Sequence, residues 1–305
     1  MKLPEYAYFK GEIVPYAEAK VGILTHALNY GTGVFGGVRA YKNDDNGKLS
    51  LFRPYDHYKR FLNSCKMMLM DLGETPESLT QHTIDLVKKG GFSEDVYIRP
   101  LAYKSSEMIG VKLHDVEAEF SIVALPFGKY VSNDTNAHVT VSSWRRLDDH
   151  VIPARGKISG AYANSAFIKT DAVRSGFDEA LVLTQSGHLS EGSAENVFMV
   201  RDGVLYTPAV YENILEGITR RSIMELAAKE LGMEVIERPI DRTEIYICDE
   251  FFMTGTAAQV TAITKVDHRP VGDGLMGPVA AKLRELFFDI LRGKNEKYAA
   301  WNLEI

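Results

Sequence analysis

Four short stretches of the chain hold residue types that do chemistry. In PARGKISGAYAN, residues 153–164, Lys157 stands among Gly156, Ser159, Gly160 and Ala161, with Tyr162 shortly after. An amine is a useful nucleophile only when its pKa is lowered or when a carbonyl captures it as a Schiff base. Small neighbours let a bound group approach the backbone closely. In SEGSAENVF, residues 190–198, Glu195 and Asn196 directly precede a strongly β-prone run, a setting that part-buries a carboxylate. LEGITRR, residues 215–221, opens a helix at Gly217 and Thr219. The free N–H groups there, with the helix dipole and a hydroxyl, make an anion site. MTGTAAQ, residues 253–259, follows the run EFFM and offers Gly255, Thr256, Ala257 and Ala258, a second set of N–H groups suited to an anion-binding concavity.

Each stretch alone has a plainer reading: a surface lysine beside a turn, glutamates at a strand entrance, glycine–threonine turns. Together they suit pyridoxal phosphate (PLP). Its ring nitrogen wants an acidic partner, because the protonated pyridinium is the better electron sink. The positive ring would in turn keep a buried glutamate ionised against desolvation. The N-terminal half adds aromatics and arginines in ALNYGTGVFGGVRAY, HYKRF and VYIRP. Arg60 falls in a helical run, where an exposed charge is the plain role. Arg99 and Tyr97 share an otherwise apolar strand, so one of them must leave the core or be paired. A substrate-facing Arg99 suits carboxylate recognition, since guanidinium binds that group bidentately.

The elements that must position these residues begin with EYAYFKGEIVP, residues 5–15, where Lys10-Gly11 separates two β-prone runs as a hairpin turn. A second hairpin joins GVFGGVRAY to LSLFRP through the polar turn at 43–47. Helices are expected over residues 55–70 and 77–89, the latter stopped by Gly90-Gly91, and VYIRPLAY and FSIVALPF read as strands. GKYVSNDTNA, residues 128–137, lacks periodicity and reads as an interdomain connection. The domains are therefore expected at 1–127, a small α+β unit, and 138–305. In the second, strand HVTVSSW precedes a helix over 161–174 and strand EALVLT. Asp202-Gly203 then turns NVFMV into VLYTP, a helix follows over 217–231, and another runs from Pro278 to Leu291.

The 305 residues are 45% hydrophobic and 25% charged, with a net charge of −6 and no long run of either sign. That excludes a nucleic-acid footprint. Two cysteines, Cys65 and Cys248, lie far apart, which argues against a disulfide framework or a metal site and suits a reducing cytosol. No signal-peptide pattern and no apolar run near the roughly 20 residues of a membrane span are present. The expectation is a cytoplasmic protein with no metal, no membrane and no nucleic-acid partner.

Taken in order, HALNYGTGVF, VRAY, KRF, VYIRPL, Gly110-Val111, SSW, GKISGAY, SEGSAENVF, DGVLYTP, GITRRSI, DEFFMTGTAAQ and GPV resemble the fold-type IV PLP enzymes, and among them the branched-chain amino acid aminotransferases. The resemblance implies a mixed α/β and α+β fold, with a small α+β domain and a larger domain built on a pseudo-barrel sheet. It implies PLP as cofactor, Lys157 as the Schiff-base lysine and proton shuttle, Tyr162 on the phenolic oxygen and Glu195 on the pyridine nitrogen. Arg60, Ile218, Thr219 and Thr256 would hold the phosphate. The Ala257 and Ala258 amides, helped by Tyr97, would meet the substrate α-carboxylate. Arg99, Tyr130 and Tyr30 of the partner subunit would receive the γ-carboxylate of glutamate, which makes the protein at least a homodimer. Phe35, Gly37, Phe127, Tyr130 and Trp144 would line the side-chain pocket, with Arg39 close by. The implied reaction moves the amino group of L-leucine, L-isoleucine or L-valine to 2-oxoglutarate.

The chain departs from the family pattern at Gly36, where a glutamate is usual, and at Phe127, where many relatives carry tryptophan. The lost carboxylate suggests a broader substrate range, reaching amines or aromatic amino acids. Another fold-type IV activity, on D-amino acids or (R)-amines, is the alternative enzyme; Tyr97, Arg99 and Gly110-Val111 argue against it. A protein that holds PLP without catalysis is the alternative of another class, and the intact Lys157, Tyr162 and Glu195 argue against that.

Overall fold

Lys10 (φ 51°) and Gly11 (φ 89°) turn the chain between β1 (Tyr6–Phe9) and β2 (Glu12–Pro15), as the alternation around Lys10-Gly11 requires. The structure, a computed structural model, describes residues 3–127 and 133–305. They divide into two compact units, one of residues 3–127, 156–161 and 289–305, the other of 133–155 and 162–288. The Lys157 segment and the C-terminal residues, expected with the second domain, thus pack with the first. Part of the expected interdomain connection lies outside the described residues.

The first unit continues with α1 (His26–Tyr30), β3 (Gly33–Phe35), β4 (Val38–Lys42), β5 (Leu49–Phe52), α2 (Pro54–Met67), α3 (Pro76–Gly90), β6 (Val96–Lys104) and β7 (Ala118–Pro126). Its sheet has eight strands in the order Asn302–Glu304, β5, β4, β6, β7, β1, β2, with β3 also paired to β6. Every pairing is antiparallel. Val38, Ala40, Leu51, Ile98 and Ile122 are fully buried in it. Thr75 and Ser78 cap α3 reciprocally, and Gly91 ends it at φ 61°. Helix α2 stops before the expected residue 70 because Leu69 turns left-handed (φ 52°) and gives its carbonyl to the buried Lys104 Nζ at 2.7 Å.

The second unit holds β8 (Ala137–Arg145), α4 (Tyr162–Arg174), β9 (Glu179–Leu183), β10 (Leu189–Gly192), β11 (Asn196–Arg201), β12 (Val204–Thr207), α5 (Ile218–Glu230), β13 (Val235–Glu237), β14 (Glu250–Gly255), β15 (Gln259–Val266), β16 (Arg269–Pro270) and most of α6 (Pro278–Leu291). Nine strands form its sheet in the order β10, β9, β8, β15, β14, β11, β12, β13, with β16 on β15. Three pairings are parallel, β8 with β9, β8 with β15 and β12 with β13. Val139, Leu181, Val197, Met199, Phe251, Met253 and Ile263 pack with one another as its apolar core. Asp202 (φ 52°) and Gly203 (φ 77°) make the expected tight turn. No helix among the described residues is long and apolar enough to cross a membrane. No group of three His, Cys, Asp or Glu among them could hold a metal ion.

Candidate active site

In the first unit, the backbone around Lys157 is pinned from both sides. The Phe35 N–H donates to the Lys157 carbonyl at 3.0 Å, and the Lys157 N–H donates to Ser64 Oγ at 3.3 Å. Ser64 is wholly buried on α2, and its hydroxyl donates to the Arg60 carbonyl at 2.9 Å, so the turn bearing Arg60 also bears the lysine's anchor. The Gly160 N–H donates to the Gly31 carbonyl at 3.0 Å. A Cβ on Gly31 would sit 2.8 Å from Gly160 Cα, and one on Gly33 2.9 Å from Ser159 Oγ. The small residues about Lys157 therefore let this segment lie directly on the β3 strand and its approach, a reason the sequence did not disclose. The side chain ends with Nζ 4.9 Å from the centre of the Phe35 ring.

Around that ring the sheet assembles the other residues expected of the first unit. Arg99 places its guanidinium 4.6 Å from the Phe35 ring centre and donates to the Tyr97 hydroxyl from Nη2 at 2.8 Å and Nε at 3.2 Å. Residues two apart share a strand face, so the Tyr97–Arg99 conflict is resolved by pairing on that face. Tyr97 packs on Phe127 with ring centres 5.0 Å apart. Gly37 gives it room, since a Cβ there would lie 2.6 Å from the Tyr97 hydroxyl. Arg39, opposite Tyr97 in the β4–β6 register, is buried, donates to the Phe127 carbonyl at 2.8 Å and faces Asp95 at 3.8 Å. It serves as a clamp on Phe127. Tyr30 closes α1, and its hydroxyl accepts from the Gly110 N–H at 3.0 Å, joining two stretches the sequence singled out separately.

In the second unit, Glu195, the start of α5 and the β14–β15 turn gather around Asn196 and Thr254, which face each other across β11 and β14. Asn196 Nδ2 donates to the Leu215 carbonyl at 2.8 Å, and a Cβ on Gly217 would run into Asn196 Oδ1. This draws the start of α5, with Ile218 and Thr219 in its first turn, to the mouth of β11. Gly217 supplies no side-chain cap to that turn. The β14–β15 turn, Thr256–Ala257–Ala258, sits at the same end, and a Cβ on Gly255 would lie 3.9 Å from Glu195 Cγ. Tyr162 is the first residue of α4.

Glu195 is buried and takes the Ala194 N–H at 3.0 Å. Burial, and then the neighbouring Glu179 carboxylate, push its carboxyl up to about 8, against the pull of that amide and of Lys169. The Thr254 hydroxyl is buried with no partner among the described residues. The motif holds a second buried carboxylate that the sequence reading passed over. Glu191 pairs with Arg146 at 2.7 Å and accepts from Asn196 Nδ2 at 3.0 Å and from the Leu215 N–H at 3.1 Å. Its only sequence signal is the repeated glutamate in SEGSAEN, because its distant partners are Arg146, just after β8, and Leu215, in the loop before α5.

Trp144 stacks on Phe167 of α4 with ring centres 4.9 Å apart, donates to Asp171 at 2.8 Å and is 42% exposed. Tyr130 lies outside the described residues.

The model of the class IV amino-transferases matches residues 33–266. The chain is 44% identical over 297 residues to a probable branched-chain-amino-acid aminotransferase of Aquifex aeolicus, covering 97% of this chain and 96% of that one. It is 36% identical over 304 residues to the branched-chain-amino-acid aminotransferase of Escherichia coli K12, covering 98% and 97%. Among solved structures, the branched-chain aminotransferase of Thermoproteus uzoniensis, determined with norvaline, superposes with a TM-score of 0.94 at 40% identity over 98% of each chain. The branched-chain amino acid aminotransferase of Thermobaculum terrenum, in its PLP-bound holo-form, superposes with a TM-score of 0.94 at 35% identity, over 100% of this chain and 99% of that one.

Proposed function

The chain belongs to the class IV aminotransferases, and on that premise we propose that it is a branched-chain amino acid transaminase, moving the amino group of L-leucine, L-isoleucine or L-valine to 2-oxoglutarate. The observation that carries this reading is the Phe35 ring, with Lys157 at 4.9 Å and Arg99 at 4.6 Å. A pocket used first by an aliphatic side chain and then by the side-chain carboxylate of glutamate needs an apolar wall with a guanidinium at its edge. Phe35 and Phe127 supply the wall, and Arg99, steadied by Tyr97, supplies the edge. Near-full-length identity to branched-chain enzymes supports the same conclusion.

Enzymes of this family use PLP, and the residues present fit it. Glu195 is a buried carboxylate raised to about 8, the state of an acid in want of a cation, which a pyridinium nitrogen provides. The first-turn N–H groups of Ile218 and Thr219, the Thr256 hydroxyl and Arg60 are assigned to the phosphate, and Tyr162 to the ring oxygen. Bound there, PLP supplies an electrophilic carbon for the Lys157 amine and a ring that delocalises the charge left at the substrate Cα. With PLP held there, Lys157 Nζ would hold the proton taken from the substrate Cα and would return one to Cα when 2-oxoglutarate is converted. The Ala257 and Ala258 amides orient the substrate α-carboxylate.

The protein is further proposed to work as a homodimer in the cytoplasm. Around Tyr30 and Gly110 the first unit exposes Ile23 (82%), Leu28 (63%), Ile109 (84%) and Val111 (76%). Such an apolar cluster is characteristic of a subunit interface, and it supports the assignment of Tyr30 to the pocket of the partner subunit. Both cysteines are free and buried, in keeping with a reducing compartment.

The test is a half-reaction on the PLP-loaded protein. L-valine without an acceptor should abolish the visible absorption of the lysine-bound cofactor and release a 2-oxo acid, and 2-oxoglutarate should restore the band. An inert response to L-valine together with bleaching by D-alanine or an (R)-amine would replace the branched-chain assignment with the other fold-type IV activity. Failure to take up PLP would remove the cofactor assignment itself.

A further inference from the structure

Asn213 holds a left-handed backbone, φ 58°, in the loop that leads into α5. An asparagine tolerates that region better than most side chains, but still at a cost unless its groups are used. Here all three are used, and all on one neighbour, the loop that runs from Arg146 towards Lys157. The Asn213 carbonyl accepts from Arg146 Nε at 3.0 Å. Its Oδ1 accepts from the Asp149 N–H at 3.2 Å, and its Nδ2 donates to Asp148 Oδ1 at 2.8 Å. The same two loops are bridged a second time, more openly, by Arg155, which reaches Glu216 at 3.3 Å and Asp149 at 3.6 Å.

We propose that Asn213 is a positioning residue, a latch that fixes the loop entering the Lys157 segment against the loop entering α5. Resting on the reading of the α5 N-terminus as the cofactor's phosphate site, the latch steadies the loop that presents that N-terminus to the anion. The Asp148 turn is itself rigid, with Val151 and Ile152 N–H both directed to the Asp148 carbonyl and Ala154 N–H to Asp149 Oδ1. A movement of Asn213 is therefore passed along the loop rather than absorbed in it. Arg146 links the latch to Glu191, which in turn receives the Leu215 N–H, so both ends of the α5 loop are tied to one network.

Three variants test it. Asn213→Gly keeps the left-handed turn and the carbonyl for Arg146 but removes both side-chain bonds. PLP should then leave the loaded protein about tenfold faster, with kcat reduced and KM for L-valine little changed. In the cofactor-free protein, the amides of 149–154 and 215–217 should exchange with solvent faster than in wild type. Asn213→Asp sets a carboxylate against Asp148 and should be worse than Asn213→Gly. Combining it with Asp148→Asn exchanges donor and acceptor and should restore slow PLP release and slow exchange. Unchanged exchange in Asn213→Gly, or a double variant no better than Asn213→Asp alone, would overturn the latch. Wild type that fails to take up PLP would sink the functional reading instead, and the exchange data would still decide whether the two loops are latched.

Discussion

Lys157 and Phe35 are joined twice, by the Phe35 N–H donating to the Lys157 carbonyl at 3.0 Å and by the Lys157 ammonium lying 4.9 Å from the Phe35 ring centre. The backbone bond fixes where the lysine starts, and the ring gives its charged end a seat shared with Arg99. Phe35→Leu keeps the first and removes the second. Cation–ring attractions are worth ~0.5–2 kcal/mol, so kcat/KM should fall roughly 3- to 30-fold for the amino acid and for 2-oxoglutarate alike. Steady-state kinetics on both substrates check this; a loss confined to one of them would contradict a shared seat.

Arg99 should behave differently. Its guanidinium is the positive group beside the apolar wall, and it is steadied by two bonds to Tyr97. Arg99→Met keeps the bulk and removes the charge-assisted bonds, worth about 1.5–3 kcal/mol each to an ionised group. KM for 2-oxoglutarate and glutamate should rise by roughly 10- to 100-fold while the L-valine half-reaction stays within about threefold. Equal damage to both halves would remove Arg99 from carboxylate recognition.

The two carboxylates of SEGSAEN can be told apart by pH and by cofactor binding. Glu195 is raised to about 8, mainly by burial and then by Glu179. Between the ordinary carboxylate range and that value the folded protein keeps a proton that the unfolded chain has released. Stability of the cofactor-free protein should therefore fall by a few kcal/mol as pH rises from about 5 to about 8. Glu195→Gln should flatten that slope, leaving the variant more stable than wild type at pH 8 and not at pH 5. PLP should flatten it too if the pyridinium faces Glu195. Glu191 already has a cation in Arg146. If Glu191→Gln weakens PLP binding while Glu195→Gln does not, the ring nitrogen belongs to Glu191. Denaturation curves across pH and PLP titrations of both variants decide it.

What could be read in the sequence was local. Lys10-Gly11 and Asp202-Gly203 are tight turns because a pair of residues at positive φ suffices to reverse a chain. The strand Asn302–Glu304 was not legible, since what makes it a strand is Phe52, Leu51 and Ser50 of β5, far away in the chain. The same holds within the site. Tyr97 and Arg99 could be paired on paper because their two-residue spacing puts them on one face. Ser64 and Asn213 could not, because their partners, Lys157 N–H and the Asp148 turn, lie in remote stretches. The contacts of Trp144 with Phe167 and Asp171 of α4 were equally out of reach, since both partners lie more than twenty residues further along the chain.

Gly36 is, with Phe127, one of the two positions where the resemblance leads us to expect another residue, and its surroundings leave little room for a side chain. A Cβ on Gly36 would lie 2.6 Å from Pro100 Cγ and 3.3 Å from Pro100 Cδ, with Phe61 Cδ2 next at 3.8 Å. The Gly36 N–H donates to the Pro100 carbonyl at 2.8 Å, so the two segments cannot simply separate. Even Gly36→Ala must displace a proline ring set in the middle of β6. Overpacking of this kind costs about 1–3 kcal/mol, and thermal denaturation should register it. Pro100→Ala added to Gly36→Ala opens the same space and should recover most of the loss, which a purely conformational penalty at Gly36 would not allow. The Pro100→Ala background then offers a fair host for testing substrate range. With Pro100→Ala in place, Gly36→Glu should lower the activity on L-phenylalanine relative to L-valine if the missing carboxylate is what broadens the range. An unchanged ratio would leave Gly36 a packing residue, matched to Pro100 and silent on specificity.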